Sequence, residues 1–221
     1  MTQPLSLSAQ FALLALNERT HNLRGLMPGY AFAGAAFADL ASRNRIAPDE
    51  SRKKRFVRID SAPTGDAYLD AVLERLDEKA MKRALHVLVM RLGASRSLMR
   101  SLFDAMAHAG FVEPVIVKSL GLFNVTRWRL RAVGLRNDLR TRLRNAILQP
   151  SSITGDEAVL IALLHHTGLA AHALSHDFAH EHRRTIRAVA KNASAGAGAV
   201  GEAITAVTAG MGAAAFIILA G

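Results

Sequence analysis

Aliphatic side chains recur every three or four residues along most of this sequence, and that spacing constrains the fold more than any other feature. Leu7, Phe11, Leu14 and Leu16 put one apolar stripe over about residues 6–17, and Leu69, Val72, Leu73 and Leu76 put another after Asp66. Half of the residues are apolar but only 5% are aromatic, and Ala, Leu and Arg, all good helix formers, dominate. The expected fold class is therefore mainly α: a single compact helical domain over residues 1–221, with central apolar helices surrounded by amphipathic ones.

Periodicity and stop signals place further helices near residues 30–42, 79–92, 95–109, 135–148, 156–166 and 176–191, followed by a last Ala/Gly-rich helix. Asp66 is suited to cap the helix carrying Leu69, and Gly93 and Gly110 to end the two before the second hairpin. Two stretches read as short β-hairpins: Phe56–Ile59 with the turn Pro48-Asp49-Glu50 before it, and the apolar Phe111–Trp128 segment around Lys118-Ser119 and Gly121. Ala203–Gly221 is uncharged and about 19 residues long, close to the roughly 20 of a membrane span. Its one strongly apolar cluster is Phe216–Leu219, so it reads as a buried helix rather than an anchor.

Without a cysteine there is no disulfide, thiolate metal site or thiol nucleophile. No phosphate-cradling Gly loop, dinucleotide fingerprint, GxSxG elbow or HExxH motif occurs, so a non-catalytic protein without cofactor is expected. His172, His176 and His180 stand at i, i+4 and i+8, a spacing that can present metal ligands. With no carboxylate in register they read as exposed or core histidines, and no metal is expected. The apolar run Leu5–Leu16 has neither a basic region before it nor a small-residue cleavage site after it, which points to a cytoplasmic chain.

The net charge of +10 and a pI of ≈ 11.0 call for an acidic partner. Arg96 and Arg100 lie one helical turn apart, Arg52, Lys53, Lys54 and Arg55 form a cluster, and Arg136, Arg140 and Arg144 form a stripe. On an anionic leaflet each basic side chain contributes roughly 1 kcal/mol, and Leu120, Leu122 and Phe123 at the hairpin tip can enter the head-group boundary beside Arg127, Trp128 and Arg129. The expected function is a peripheral, adaptor-like protein on the cytoplasmic leaflet. Arg96, Arg100 and Arg24 would hold an anionic lipid head group, with Arg127, Arg129, Arg136 and Arg140 as an auxiliary basic surface. The alternatives are a nucleic-acid-binding protein using the Arg136/Arg140/Arg144 stripe, and a module that self-associates through the 113–128 hairpin.

Several segments, taken in order, resemble the Golgi phosphoprotein 3 family. They are Leu5-Ser6-Leu7-Ser8, Ala33–Ala36 with Asp39-Leu40-Ala41 and Arg43–Ile46, and Asp60–Asp66 with Leu69-Asp70. Further on come Ala109–Val112, Gly121-Leu122-Phe123 with Arg127-Trp128, Leu139–Leu143 and Leu160–His165. The resemblance implies a mostly helical domain with an apolar core helix at the C-terminus. It also implies recruitment to membranes through phosphatidylinositol 4-phosphate and a neighbouring apolar hairpin. By register from Gly110, Arg96 falls on a family head-group arginine. Met99 replaces the second, with Arg100 beside it. The family's tryptophan has no counterpart at residues 24–27, and another family arginine is Ala33 here. The family's acidic N-terminal extension is missing, which with the Ala/Arg-rich composition points to a bacterial member; a Golgi location would follow only for a eukaryotic source.

Overall fold

A computed structural model describes residues 5–25, 28–49, 51–52, 55–119, 123–195, 201 and 205. Within them the chain forms α1 (Leu7–Ala15), α2 (Pro28–Ser42), β1 (Ile46–Pro48), β2 (Phe56–Arg58), α3 (Ala67–Glu74), α4 (Glu78–Met81), α5 (Leu85–Gly93) and α6 (Arg96–His108). There follow β3 (Val112–Ser119), β4 (Phe123–Leu130), α7 (Val133–Leu148), a 3₁₀ turn at Pro150–Ser152, α8 (Gly155–His166), α9 (Ala170–Leu174), α10 (His176–Glu181) and α11 (Arg183–Ala195). The mainly α class with two short antiparallel hairpins is as expected.

Three helices make the centre. Every residue of α1 is buried, α2 is buried from Ala31 to Leu40, and α8 from Val159 to Leu164. Such all-round burial is what surfaces made almost wholly of Ala, Leu, Ile, Val and Phe demand, with Asp39 the acid among them in α2. Phe11, Phe32 and Phe103 meet edge to face, at 5.6 and 6.1 Å between centroids, and tie α1 and α2 to α6. The amphipathic helices lie outside: α6 buries Leu98, Leu102, Phe103 and Met106 and leaves Arg96 and Arg100 in solvent.

Polar side chains from α2 and α7 hold α1 at both ends. At its start the Leu7 N–H donates to both Asp39 carboxylate oxygens, at 3.2 and 2.9 Å, so an acid from α2 does the work of the Ser6 side chain, which makes no cap bond. Burial pushes the Asp39 carboxyl up to about 7, against the lowering effect of the Leu7 N–H. At the other end Arg136 of α7 reaches the Leu16 carbonyl at 3.4 Å and pairs with Glu18.

Local signals account for most boundaries. Asp66 accepts from the Tyr68 and Leu69 N–H groups at the start of α3, and Thr154 with Glu157 forms a capping box on α8. Gly110 ends α6 at φ +76, but Gly93 serves differently. It lies at the α2–α5 crossing, where a Cβ would come within 2.8 Å of the Tyr30 backbone, so the glycine permits close approach. Two expected helices are broken. The 79–92 stretch divides at Lys82–Ala84 into α4 and α5, each with its own N-cap, Asp77 and Ala84. The 176–191 stretch divides at His182, and Ser175, at φ 79, separates α9 from α10. His172, His176 and His180 therefore do not share one helical face. The C-terminal helix expected over Ala203–Gly221 lies outside the described residues, apart from Thr205.

Candidate functional site

The β3–β4 hairpin stands on the end of α6 with only its base in the core. Val112 and Leu130 pair there and are buried, whereas Ile116 is 75% exposed, Phe123 65% and Val125 40%. The apolar content noted in the sequence is thus turned outward at Ile116, Phe123 and Val125, while Val115, Val117 and Trp128 are half-buried. Leu120 and Leu122, expected at the tip, lie outside the described residues.

A cavity of about 260 Å³ opens where β4 meets α6. It is lined by Arg96, Met99, Arg100 and Phe103 from α6, Val125 to Trp128 from β4, and His21 to Leu23 from the loop after α1. Its walls are fixed. The Trp128 ring stacks on Phe103 at 5.3 Å and 20°, which joins the cavity to the aromatic chain of the core. The Trp128 backbone N–H donates to the His21 carbonyl at 3.3 Å and the Arg127 guanidinium to the Thr20 carbonyl at 3.0 Å, so the loop is held along β4.

The electrostatics are one-sided. Among the described residues no carboxylate pairs with Arg96 or Arg100. Arg96 also occupies the first turn of α6, which contains no acid. A cation at the positive end of a helix raises the local potential instead of balancing it. The cavity thus combines two unpaired guanidiniums, the half-buried Arg127, and an indole with an apolar ribbon beside it. That set can bind an anion of modest size at an apolar boundary.

The other expected site residues are placed elsewhere. Arg24 is exposed but does not line this cavity; its charge acts on His172, which burial holds below the usual histidine range and Arg24 lowers further. Arg129 pairs with Glu113 across the hairpin at 2.7 Å. The two arginines of α7 correct the expectation of an auxiliary basic surface. Arg136 is 4% exposed, and burial and then the Arg140 guanidinium push it down to about 10. Arg140 donates to the carbonyls of Ala173 at 2.7 Å and His172 at 3.1 Å, while Arg144 sits 4.4 Å over the Phe178 ring. Arg136 is buried and Arg140 is bound to carbonyls of α9, which leaves Arg144 as the one exposed member of the stripe and breaks the row of free cations that nucleic acid would need. Sequence reasoning missed the wall residues His21, Asn22 and Thr126; only tertiary contact brings them beside α6.

The Golgi phosphoprotein 3 (GPP34) family profile matches residues 7–207. The chain belongs to that family. The match runs from the first residue of α1 past the end of α11 and includes both hairpins and the cavity between α6 and β4. No curated protein matches the chain at a significant level. Among the described residues of this family member no helix is long and apolar enough to cross a membrane.

Proposed function

We propose that this GPP34-family protein is a non-catalytic, adaptor-like peripheral membrane protein that binds an acidic phospholipid, phosphatidylinositol 4-phosphate or another, by its head group in the α6–β4 cavity. The observation that carries the reading is the pair Arg96 and Arg100, without carboxylate partners, at the foot of a hairpin whose described tip residues Ile116 and Phe123 are exposed and apolar. The guanidiniums give charge-assisted hydrogen bonds to a phosphate. The hairpin gives shallow insertion, with Leu120, Leu122 and Phe123 entering the head-group boundary and Trp128 at its polar edge. Neither part suffices alone: a few basic side chains at about 1 kcal/mol each hold a protein only weakly, and so does one short apolar ribbon. Together they make a reversible membrane attachment.

Flotation with vesicles tests the reading. The wild-type chain is expected to float with anionic vesicles and not with neutral ones, and Arg96→Glu with Arg100→Glu to abolish the flotation. Unchanged flotation of that double variant would remove the cavity from the account. The exposed Ile116, Val125 and Phe123 support a second reading in which the hairpin also joins two copies of the chain. Light scattering that gives only monomer at micromolar concentration would rule that out.

A further inference from the structure

A second cavity, of about 400 Å³, lies where the end of α3 meets α4 and α5. Leu88 and Leu92 give it a buried apolar floor, and Arg75, Lys79, Arg83 and Arg91 stand around it. Asp77 is the one carboxylate among its described lining residues, and its Oδ1 is engaged by the Ala80 N–H at 2.6 Å as the cap of α4. Four cations therefore face one carboxylate across a single concavity. Among the described residues none of the four pairs with an acid.

Arg75 and Arg91 individually suit the C-terminal ends of α3 and α5. Lys79 and Arg83 also stand at a helix end, in the last turn of α4 and just past its C-cap, but a single turn carries little dipole to complement and does not explain why both converge on the same hollow. The break that divides α4 from α5 brings them there: a continuous helix through Lys82–Ala84 would send residues 79, 83 and 91 along one rod, whereas the turn folds them around Leu88 and Leu92. Arg75 is also held in place, donating to the Ser95 hydroxyl at 3.1 Å and the Ser97 hydroxyl at 2.9 Å. Like charges gathered on a concave surface focus positive potential and are relieved by an anion of matching valence. A planar guanidinium fixed by two hydroxyls is already oriented for a phosphate oxygen.

We infer that this cavity is a second phosphate-binding site, distinct from the α6–β4 cavity, for a multiply charged phosphate group such as a pyrophosphate or a terminal phosphomonoester. The group is carried either by a soluble molecule or by a lipid. The site stands apart from the membrane reading, because its cations are not those of the α6–β4 cavity. Ser95 and Ser97 flank Arg96, so a chain with both sites filled would hold two anionic groups on either side of the first turn of α6.

The test is calorimetric titration of the full chain with inorganic pyrophosphate at low ionic strength. Wild type, Arg83→Glu with Arg91→Glu, and Arg96→Glu with Arg100→Glu are compared. The first pair is expected to weaken pyrophosphate binding by about tenfold or more, and the second to leave an event of wild-type affinity. Thermal unfolding checks both folds, and the milder Arg83→Gln with Arg91→Gln, expected to weaken binding less, serves if the glutamates disturb folding. No binding to wild type, or wild-type binding by the Arg83/Arg91 variants, overturns the inference and leaves the membrane reading intact. A parallel flotation with phosphatidylcholine vesicles containing phosphatidic acid separates the two sources. Flotation of the Arg96→Glu with Arg100→Glu variant on these vesicles, lost when Arg83→Gln and Arg91→Gln are added, supports a lipid-borne phosphate, and no flotation of that variant with retained pyrophosphate binding supports a soluble one.

Discussion

Two sets of arginines with the same helical spacing meet opposite fates. On α7, Arg136, Arg140 and Arg144 are consumed by the fold through Glu18 and the Leu16 carbonyl, the carbonyls that end α9, and the Phe178 ring. On α6, Arg96 and Arg100 face solvent, and among the described residues no carboxylate pairs with either. The difference lies in what the rest of the chain brings to each helix. The α7 face packs on α1 and α9, whose ends expose unsatisfied carbonyls, and a guanidinium is the side chain best able to satisfy several of them. Among the described residues the outer face of α6 meets the hairpin, which supplies an indole and another arginine, and the loop after α1, which supplies no acid to the cavity. One set is structural, and the other is available to a ligand.

Changes to the inner charges should therefore alter stability and spare membrane binding, and changes to the outer ones should do the reverse. The largest stability effect is expected at Asp39, the acid at the opposite end of α1 from Arg136. Its folded carboxyl titrates at about 7 against an ordinary 3.8. Between those values the folded chain keeps a proton that the unfolded chain has released. Stability from this group is then complete below about pH 4 and falls by about 1.4 kcal/mol per pH unit as pH rises to about 7. Urea midpoints measured across that range should show the slope in the wild type and a flatter line in Asp39→Asn. Parallel lines would contradict the assignment.

Next comes Arg136→Met, which removes one partner of a largely buried ion pair and the bond to Leu16. Glu18 is half exposed and can rehydrate, so the loss should be about 2 kcal/mol, short of the figure for a fully buried pair. Arg140→Ala, which frees two carbonyls, should cost about 1–2 kcal/mol, and Arg144→Ala no more than about 1 kcal/mol through its ring contact. All three should retain wild-type vesicle flotation once folded. The smallest stability effect belongs to Arg96→Ala and Arg100→Ala, each within about 0.5 kcal/mol by chemical denaturation. A loss of about 2 kcal/mol at either would mean that the arginines of α6 hold the fold together as those of α7 do, and the contrast would fail.

Much of this was legible in the sequence. Apolar periodicity located the central helices, Asp66 its cap and Gly110 its stop, and the alternating apolar segment gave the long hairpin. The break between α4 and α5 was not legible, because Lys82-Arg83-Ala84 contains no helix breaker and the turn is set by the Asp77 cap and by packing. The burial of Arg136 was hidden for a related reason: its partners Leu16 and Glu18 stand far upstream in the chain, and a long guanidinium side chain suits solvent and core alike. Asp39 gave no sign because its partner is a backbone N–H. In the candidate site Arg96, Arg100, Trp128 and Phe123 were readable by type. Their assembly with the loop after α1 was not, because it depends on β4 running beside residues 20–23.

The central claim is that the α6–β4 cavity and its hairpin hold the protein on anionic membranes. Co-sedimentation with phosphatidylcholine vesicles of graded phosphatidylserine content tests it most directly, with and without phosphatidylinositol 4-phosphate, at low and physiological salt. The bound fraction should rise with negative charge, fall with salt and rise further with phosphatidylinositol 4-phosphate if the cavity selects that head group. Equal binding to neutral vesicles, or none at any charge, would contradict the account.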